Sequence, residues 1–280
     1  MPAGRGASAR LRAFAARARE LGTAYAVVDL ALKVERRAVA ALEDGLLAIE
    51  GRRGVLGPAH RAFSRHEAMG SWAAYDWSAG GEEWTESAAW KDALIEEVLH
   101  PGVPEESVVV EIGPGAGRWS VVLRERAARL VLVEPTEETL ALTRRRFEGD
   151  SGVSWVLSDG ASLPGVEDGS VDSVWSFDVF VHLSANDVAG YLAEIARVLR
   201  PGGIATVHHA GRRERRARRG PMTALLFANL ARERRLEVER QFDSWGGGGH
   251  DVKVFGDVIT VLRRPPEPAL AGPDEPQRGG

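Results

Sequence analysis

A strand that runs straight into three alternate glycines constrains this chain more than any other feature: Val108 to Ser120 reads VVVEIGPGAGRWS. The apolar run Val108, Val109, Val110 and Ile112 suits a strand covered on both faces. Gly113, Gly115 and Gly117 let the backbone turn sharply and come close to a ligand where a side chain would intervene. A helix from about Arg118 to Ala127 would then aim its free N–H groups and its positive dipole end at the same point. The pattern predicts a nucleotide-like ligand held at a strand-to-helix turn.

Spacing narrows the ligand. A dinucleotide fingerprint requires a glycine at position 118, where this chain has Arg118. That disfavours a nicotinamide-dependent oxidoreductase. With Glu111 ahead of it, the run E-x-G-x-G-x-G instead resembles the first motif of the class I S-adenosylmethionine-dependent methyltransferases, so Glu111, Gly113, Gly115 and Gly117 are expected at a site for S-adenosyl-L-methionine.

The strands beyond the glycine turn keep the same order. A second apolar strand, Leu130 to Val133, ends on Glu134, about twenty residues past the first glycine, where a carboxylate accepts both ribose hydroxyls. The other reading is a helix-start acid, since Thr136, Glu137 and Glu138 open a helix, but Glu134 lies on the strand side of Pro135. A third strand, Val153 to Ser158, ends on Asp159 and Gly160. The resemblance implies adenine contact there, whereas an Asp-Gly pair also makes a plain turn. Val171 to Phe177 forms a fourth strand with Ser176, Phe177 and Asp178 at its mouth, where the resemblance implies the methionine part and the transferring methyl. Leu199-Arg200-Pro201-Gly202-Gly203 is a corner ahead of a fifth strand, Ile204 to His208.

Strands alternating with helices predict an α/β fold, a doubly wound, mostly parallel sheet with ligands at its carboxyl ends. The resemblance spans Thr85 to Pro265 and implies seven strands with the last antiparallel, Leu236 to Phe242 and Asp257 to Leu262 being the final pair. The expected organisation is an N-terminal helical extension with an aromatic segment over 1–84, the methyltransferase domain over 85–265, and a tail over 266–280 too poor in apolar residues to fold.

In the extension, Leu21, Tyr25, Val28, Leu32, Val39, Leu42, Leu46 and Ile49 fall at helical spacing with one skipped turn. That stripe is expected to bury against the domain, a second subunit in a homodimer, or a membrane surface, the last being disfavoured. The linking segment holds Trp72, Tyr75, Trp77 and Trp84, read either as a plug at the sheet edge or as a lid whose aromatic faces, Trp84 among them, wall the cofactor. Its YDWS and GEEWT pieces resemble a subgroup of bacterial small-molecule or glycan methyltransferases.

Composition sets further bounds. The chain has 280 residues, a net charge of -4 and no cysteine. The charge gives no bulk attraction to nucleic acid, and the missing cysteines exclude disulfides, thiolate metal sites and a cysteine nucleophile. Without a long apolar stretch or a leader-like start, the sequence reads as cytoplasmic.

For a hydroxyl acceptor a base is needed, and His182, His208 and His209 stand near the ends of the fourth and fifth strands, each equally readable as a structural histidine. Strand alternation sends His208 and His209 to opposite faces. No N-P-P-Y or D-P-P-Y comes after the fourth strand, and no metal cluster is predicted. The run Arg212 to Arg219 is either an anion contact or a solvated loop. The expected activity is methyl transfer to a hydroxyl or amine of a small molecule or saccharide; the alternative is a non-catalytic adenosine-binding module with an assembly role.

Overall fold

The computed structural model describes residues 23–55, 72–212, 220–253 and 256–266, with the single positions 15 and 19. Leu21, most of the arginine run and nearly all of the expected tail lie outside the described residues, as do the side chains of Tyr25 and Val39. The chain divides into two units, Met1–Ile49 and Glu50–Gly280.

The first unit is occupied by most of a long helix, α1 (Thr23–Arg53), whose last turn carries Arg52 and Arg53, the charge that suits a helix C-terminus. Of the predicted stripe, Val28, Leu32, Leu42, Leu46 and Ile49 are exposed. No described helix is long and apolar enough to cross a membrane.

In the second unit, β1 (Ser107–Ile112), β2 (Ala127–Glu134), β3 (Val153–Leu157), β4 (Val171–Ser176) and β5 (Leu199–Ala210) run parallel. After β6 (Glu237–Phe242) come two short strands, β7 (Ser244–Trp245) and β8 (His250–Asp251), which pair as a separate hairpin. The last strand, β9 (Asp257–Arg263), inserts antiparallel between β5 and β6, giving the order β3-β2-β1-β4-β5-β9-β6. The seven-stranded, mostly parallel sheet with an antiparallel last strand is as expected.

Helices α2 (Ala88–Leu94), α3 (Ser120–Arg126), α4 (Glu137–Arg146), α5 (Ala185–Val198) and α6 (Ala224–Glu233) accompany the strands. Side chains alternate between two cores. Val110, Ile112, Val131 and Val133 pack with Leu192, Ile195 and Phe227 on one face; Val109, Leu130, Leu132 and Trp175 pack with Leu94 and Leu123 on the other. Burial on both faces explains why these strands read as unbroken apolar runs.

Several boundaries differ from expectation, most by one to three residues. The helix after the glycines starts at Ser120 rather than Arg118, because Gly117 N–H bonds back to Pro114 C=O at 2.8 Å and holds Arg118 and Trp119 outside it. It also ends one residue early, since Ala127 is already extended and begins β2. The Leu199 to Gly203 corner is part of β5: the pairing with β4 jumps from Val171–Leu199 to Ser173–Ile204, and backbone hydrogen bonds to Arg264 tie the kink down. Gly246 to Gly249 is the turn of the β7–β8 hairpin, with Gly246, Gly247 and Gly248 all at positive φ.

Candidate functional site

A cavity of about 560 Å³ opens at the carboxyl ends of β1, β2 and β4. Its walls include Gly113, Gly115, Glu134, Gly160, Phe177, Asp178, His182 and the rings of Trp72, Trp77, Trp84 and Trp119. Much of the predicted set thus meets in one place.

Within the glycine turn, a Cβ on Gly113 would stand 2.4 Å from Val179, and one on Gly115 would stand 2.7 Å from the Trp77 ring. Gly117 is turned to Arg146, whose Nη1 donates to the Gly117 carbonyl at 2.8 Å, and it is not part of the cavity wall. Gly115 also sits at φ +56. Gly115→Ala is therefore expected to cost about 1 to 3 kcal/mol from backbone strain alone, with a further loss from displacing Trp77, measured by chemical denaturation. Parental stability in this variant would show that the turn relaxes freely.

The two acids of the first strands have different surroundings. Glu111 is buried beneath the turn, where its carboxylate accepts the Ser120 hydroxyl at 2.5 Å, and burial pushes its pKa up to about 7. It does not line the cavity. Glu134, the last residue of β2, does; burial, supplemented by Glu111, pushes it up to about 8 even though the Gly115 N–H donates to it. Asp159 spends its carboxylate on its own turn, accepting from Ala161 N–H at 3.0 Å and Ser162 Oγ at 2.8 Å, while Gly160 reaches the cavity.

Asp178 follows β4 with left-handed backbone, φ 62, which aims its N–H at Nδ1 of His208, 3.1 Å away. The Asp178 carboxylate lies 3.1 Å from the same nitrogen, and Asp257 lies 3.5 Å from Nε2. Asp178 therefore offers Nδ1 a donor when the ring is neutral and an acceptor when it is charged. Burial opposes charge on the ring, but the two flanking carboxylates outweigh it and raise the His208 pKa. Although burial works the other way, His208 and Arg118 keep Asp178 ionised well below the usual carboxylate range.

The three histidines separate by position. His182 lines the cavity with its ring centre 5.0 Å from Trp72. His208 lies directly beneath, stacked on Phe177 at 4.3 Å and 3% exposed. His209 points into the opposite core, stacked on Phe227 at 3.6 Å and hydrogen-bonded to Thr260 Oγ1 at 2.7 Å; burial pushes its pKa down to about 3. The expected alternation holds, and His209 is outside the cavity wall.

Trp72, Tyr75, Trp77 and Trp84 pack on one another at 5.1 to 6.1 Å between ring centres. Trp77 donates its indole N–H to the Trp72 carbonyl at 3.2 Å. Three of these rings, Trp72, Trp77 and Trp84, line the cavity, and Trp77 lies directly over Gly115. Among the cavity residues that escaped the sequence reading are Asp257 and Arg118. Asp257 arrives at the far end of the chain because its strand pairs antiparallel to β5, opposite Ala210. Arg118, read as a missing glycine and a helix start, is 5% exposed and ion-paired with Asp178.

Residues 110–207 match a family model described as a methyltransferase domain. Methyltransferase nsrG of Aspergillus novofumigatus is 27% identical over 168 residues, covering 60% of this chain and 57% of that protein. A chain from the complex of the Haloferax volcanii Trm112 methyltransferase activator with a methyltransferase superposes with a TM-score of 0.56 at 24% identity, over 72% of this chain and 100% of that one. A SAM-dependent methyltransferase from Aquifex aeolicus gives 0.51 at 18% identity, over 68% and 98%. Among the first curated relatives, the matched part spans between 34% and 57% of the relative's own length.

Proposed function

We propose that this chain, whose residues 110–207 match the methyltransferase-domain model, is a class I S-adenosylmethionine-dependent methyltransferase that methylates a hydroxyl or amine of a small molecule or saccharide. The observation that carries this reading is the meeting, in one cavity, of the bare glycine turn, the buried Glu134 carboxyl and Asp178, which pairs with His208 behind the wall. The cavity suits S-adenosylmethionine: Gly113 and Gly115 line it with bare backbone, Glu134 stands ready for ribose hydroxyls, and apolar rings close the rest. When bound, the cofactor supplies an already activated methyl group.

The chain's own residues do the remainder. Trp72, Trp77 and Trp84 keep water from the reacting groups. Asp178 reaches the cavity and accepts a hydrogen bond from the acceptor's O–H or N–H, orienting its lone pair. His208, out of the acceptor's direct reach, takes the proton at Nδ1 through Asp178, and Asp257 steadies the resulting cation at Nε2. Positioning and one proton relay suffice, since no group other than the acceptor has to be activated.

The reading is tested by adding S-adenosylhomocysteine to the purified protein and by incubating it with methyl-labelled S-adenosylmethionine and cell-extract fractions. We expect micromolar binding, a raised melting temperature and label in a small-molecule or saccharide fraction. No heat and no thermal shift at millimolar ligand would remove the cofactor assignment. Binding without transferred label would leave an adenosine-binding module.

A further inference from the structure

The stripe on α1 takes no part in the chemistry above. Val28, Leu32, Leu42, Leu46 and Ile49 are 43% to 71% exposed, a contiguous apolar surface of the kind that marks an interface. Seven-residue spacing orders it. Leu32, Val39 and Leu46 recur at one position, and Val28, Leu42 and Ile49 at the position three further on, which is the seam of a helix pair. Glu35 interrupts that seam and Arg53 closes it at the end of the helix, and both are exposed.

The charges say what covers it. Acids and bases are equal in number over Thr23–Arg53, so an anionic lipid surface gains no net attraction to this helix. Another helix remains, and Glu35 selects which one. A carboxylate inside an apolar seam is costly unless a cation meets it. Glu35 and Arg53 are about five turns apart, so they fall on one line of the helix. A second copy of α1 laid antiparallel, with the crossing centred on residue 44, sets Glu35 opposite the partner's Arg53 at each end. Between those ends every layer is apolar: the position of Val39 faces that of Ile49, and Leu42 faces Leu46. A parallel pair would set Glu35 on its own copy, and an antiparallel pair shifted one heptad toward the helix start would set it on Leu46. Gly45 lies beside the crossing, and a Cβ there would meet nothing within 4 Å, so two backbones have room to approach.

We infer that α1 is a self-association helix, which pairs antiparallel with α1 of a second copy through Leu42, Leu46 and Ile49 in the register fixed by Glu35 and the partner's Arg53. The inference stands apart from the methyl-transfer reading, and neither depends on the other.

Sedimentation of the full chain over a range of concentrations should show a reversible monomer–dimer equilibrium. Glu35→Arg and Arg53→Glu should each weaken it by about tenfold or more, because like charges then meet in the seam. The double exchange, Glu35→Arg with Arg53→Glu, should restore it, which a merely unfolded helix would not do. The register is read by cross-linking. Because the chain has no cysteine, introduced thiols report on this contact alone. Val39→Cys and Ile49→Cys proteins should form a disulfide-linked dimer when mixed, and neither should link to itself. Self-linking of each variant, or no link in the mixture, overturns the proposal. So does a parent that stays monomeric, a dimer that persists when Leu42→Glu and Leu46→Glu are combined, a double exchange that fails to restore pairing, or binding to vesicles of phosphatidylcholine and phosphatidylglycerol in place of self-association.

Discussion

His208→Asn should lower turnover by about two to four orders of magnitude, the usual worth of general acid–base assistance, while leaving S-adenosylhomocysteine affinity unchanged. The ring is not part of the cavity wall, so the loss belongs to the proton's destination rather than to binding. The pH profile carries the sign. With its pKa raised by Asp178 and Asp257, His208 is cationic to higher pH than an ordinary histidine, and only the neutral ring accepts a proton. Parental turnover should therefore climb with pH through that raised pKa, and the climb should vanish in His208→Asn. An unaltered rate and profile in the variant would end the relay and favour an amine that arrives neutral and needs only orientation. His209→Ala, tested beside it, should reduce thermal stability with normal binding, because it removes the stack on Phe227 and the bond to Thr260.

Glu134→Gln should weaken S-adenosylhomocysteine by about 1.5 to 3 kcal/mol, the worth of a hydrogen bond to a charged group. Here too pH gives an independent reading. Burial holds the free carboxyl protonated up to about pH 8, and the form that accepts two ribose hydroxyls is the carboxylate. Below that pH, binding must expel a proton. Parental affinity should thus rise as pH goes from about 6 to 8, by up to about tenfold per unit, with proton release visible as a buffer-dependent heat. The glutamine variant should show neither. If it binds as tightly as the parent, Glu134 serves only the start of the following helix.

How far the site was legible in the sequence depends on the range of the interactions involved. The glycine turn, Glu134, Gly160 and Phe177 are marked by local signals, a buried strand breaking at its carboxyl end, and the cavity gathers them. Local pattern also separated His208 from His209 by alternation, but which of the two faces the acids depends on β9, paired with β5 from far along the chain. Asp257 was invisible for that reason. Glu111 and Asp159 have the expected positions with their carboxyls engaged by Ser120, Ala161 and Ser162, because spacing places a Cα and says nothing of a rotamer. At Gly115 the missing side chain was read as room for a ligand, yet the neighbour in that space is the Trp77 ring, brought from a segment with no periodic signal. Arg118 was noticed only as the residue standing where a dinucleotide turn has glycine and as a helix start, and the Trp84 and Phe177 rings that flank it come from distant segments.

The crowding of indoles at the cavity has an optical consequence. Of the eight tryptophans in the chain, Trp72, Trp77, Trp84 and Trp119 face the cavity, and the first three lie 5.6 to 6.1 Å from one another. Transition dipoles that close and at tilted angles couple, so the native protein should show an exciton couplet in its ultraviolet circular dichroism that a simple sum of chromophores lacks. Anything entering the cavity changes ring spacing or the polarity around Trp119. Intrinsic emission and this couplet should then track occupancy without a label, and Trp77→Phe should weaken the couplet, leaving the Trp72–Trp84 pair and the separate cluster of Trp90, Trp119, Trp175 and Trp245.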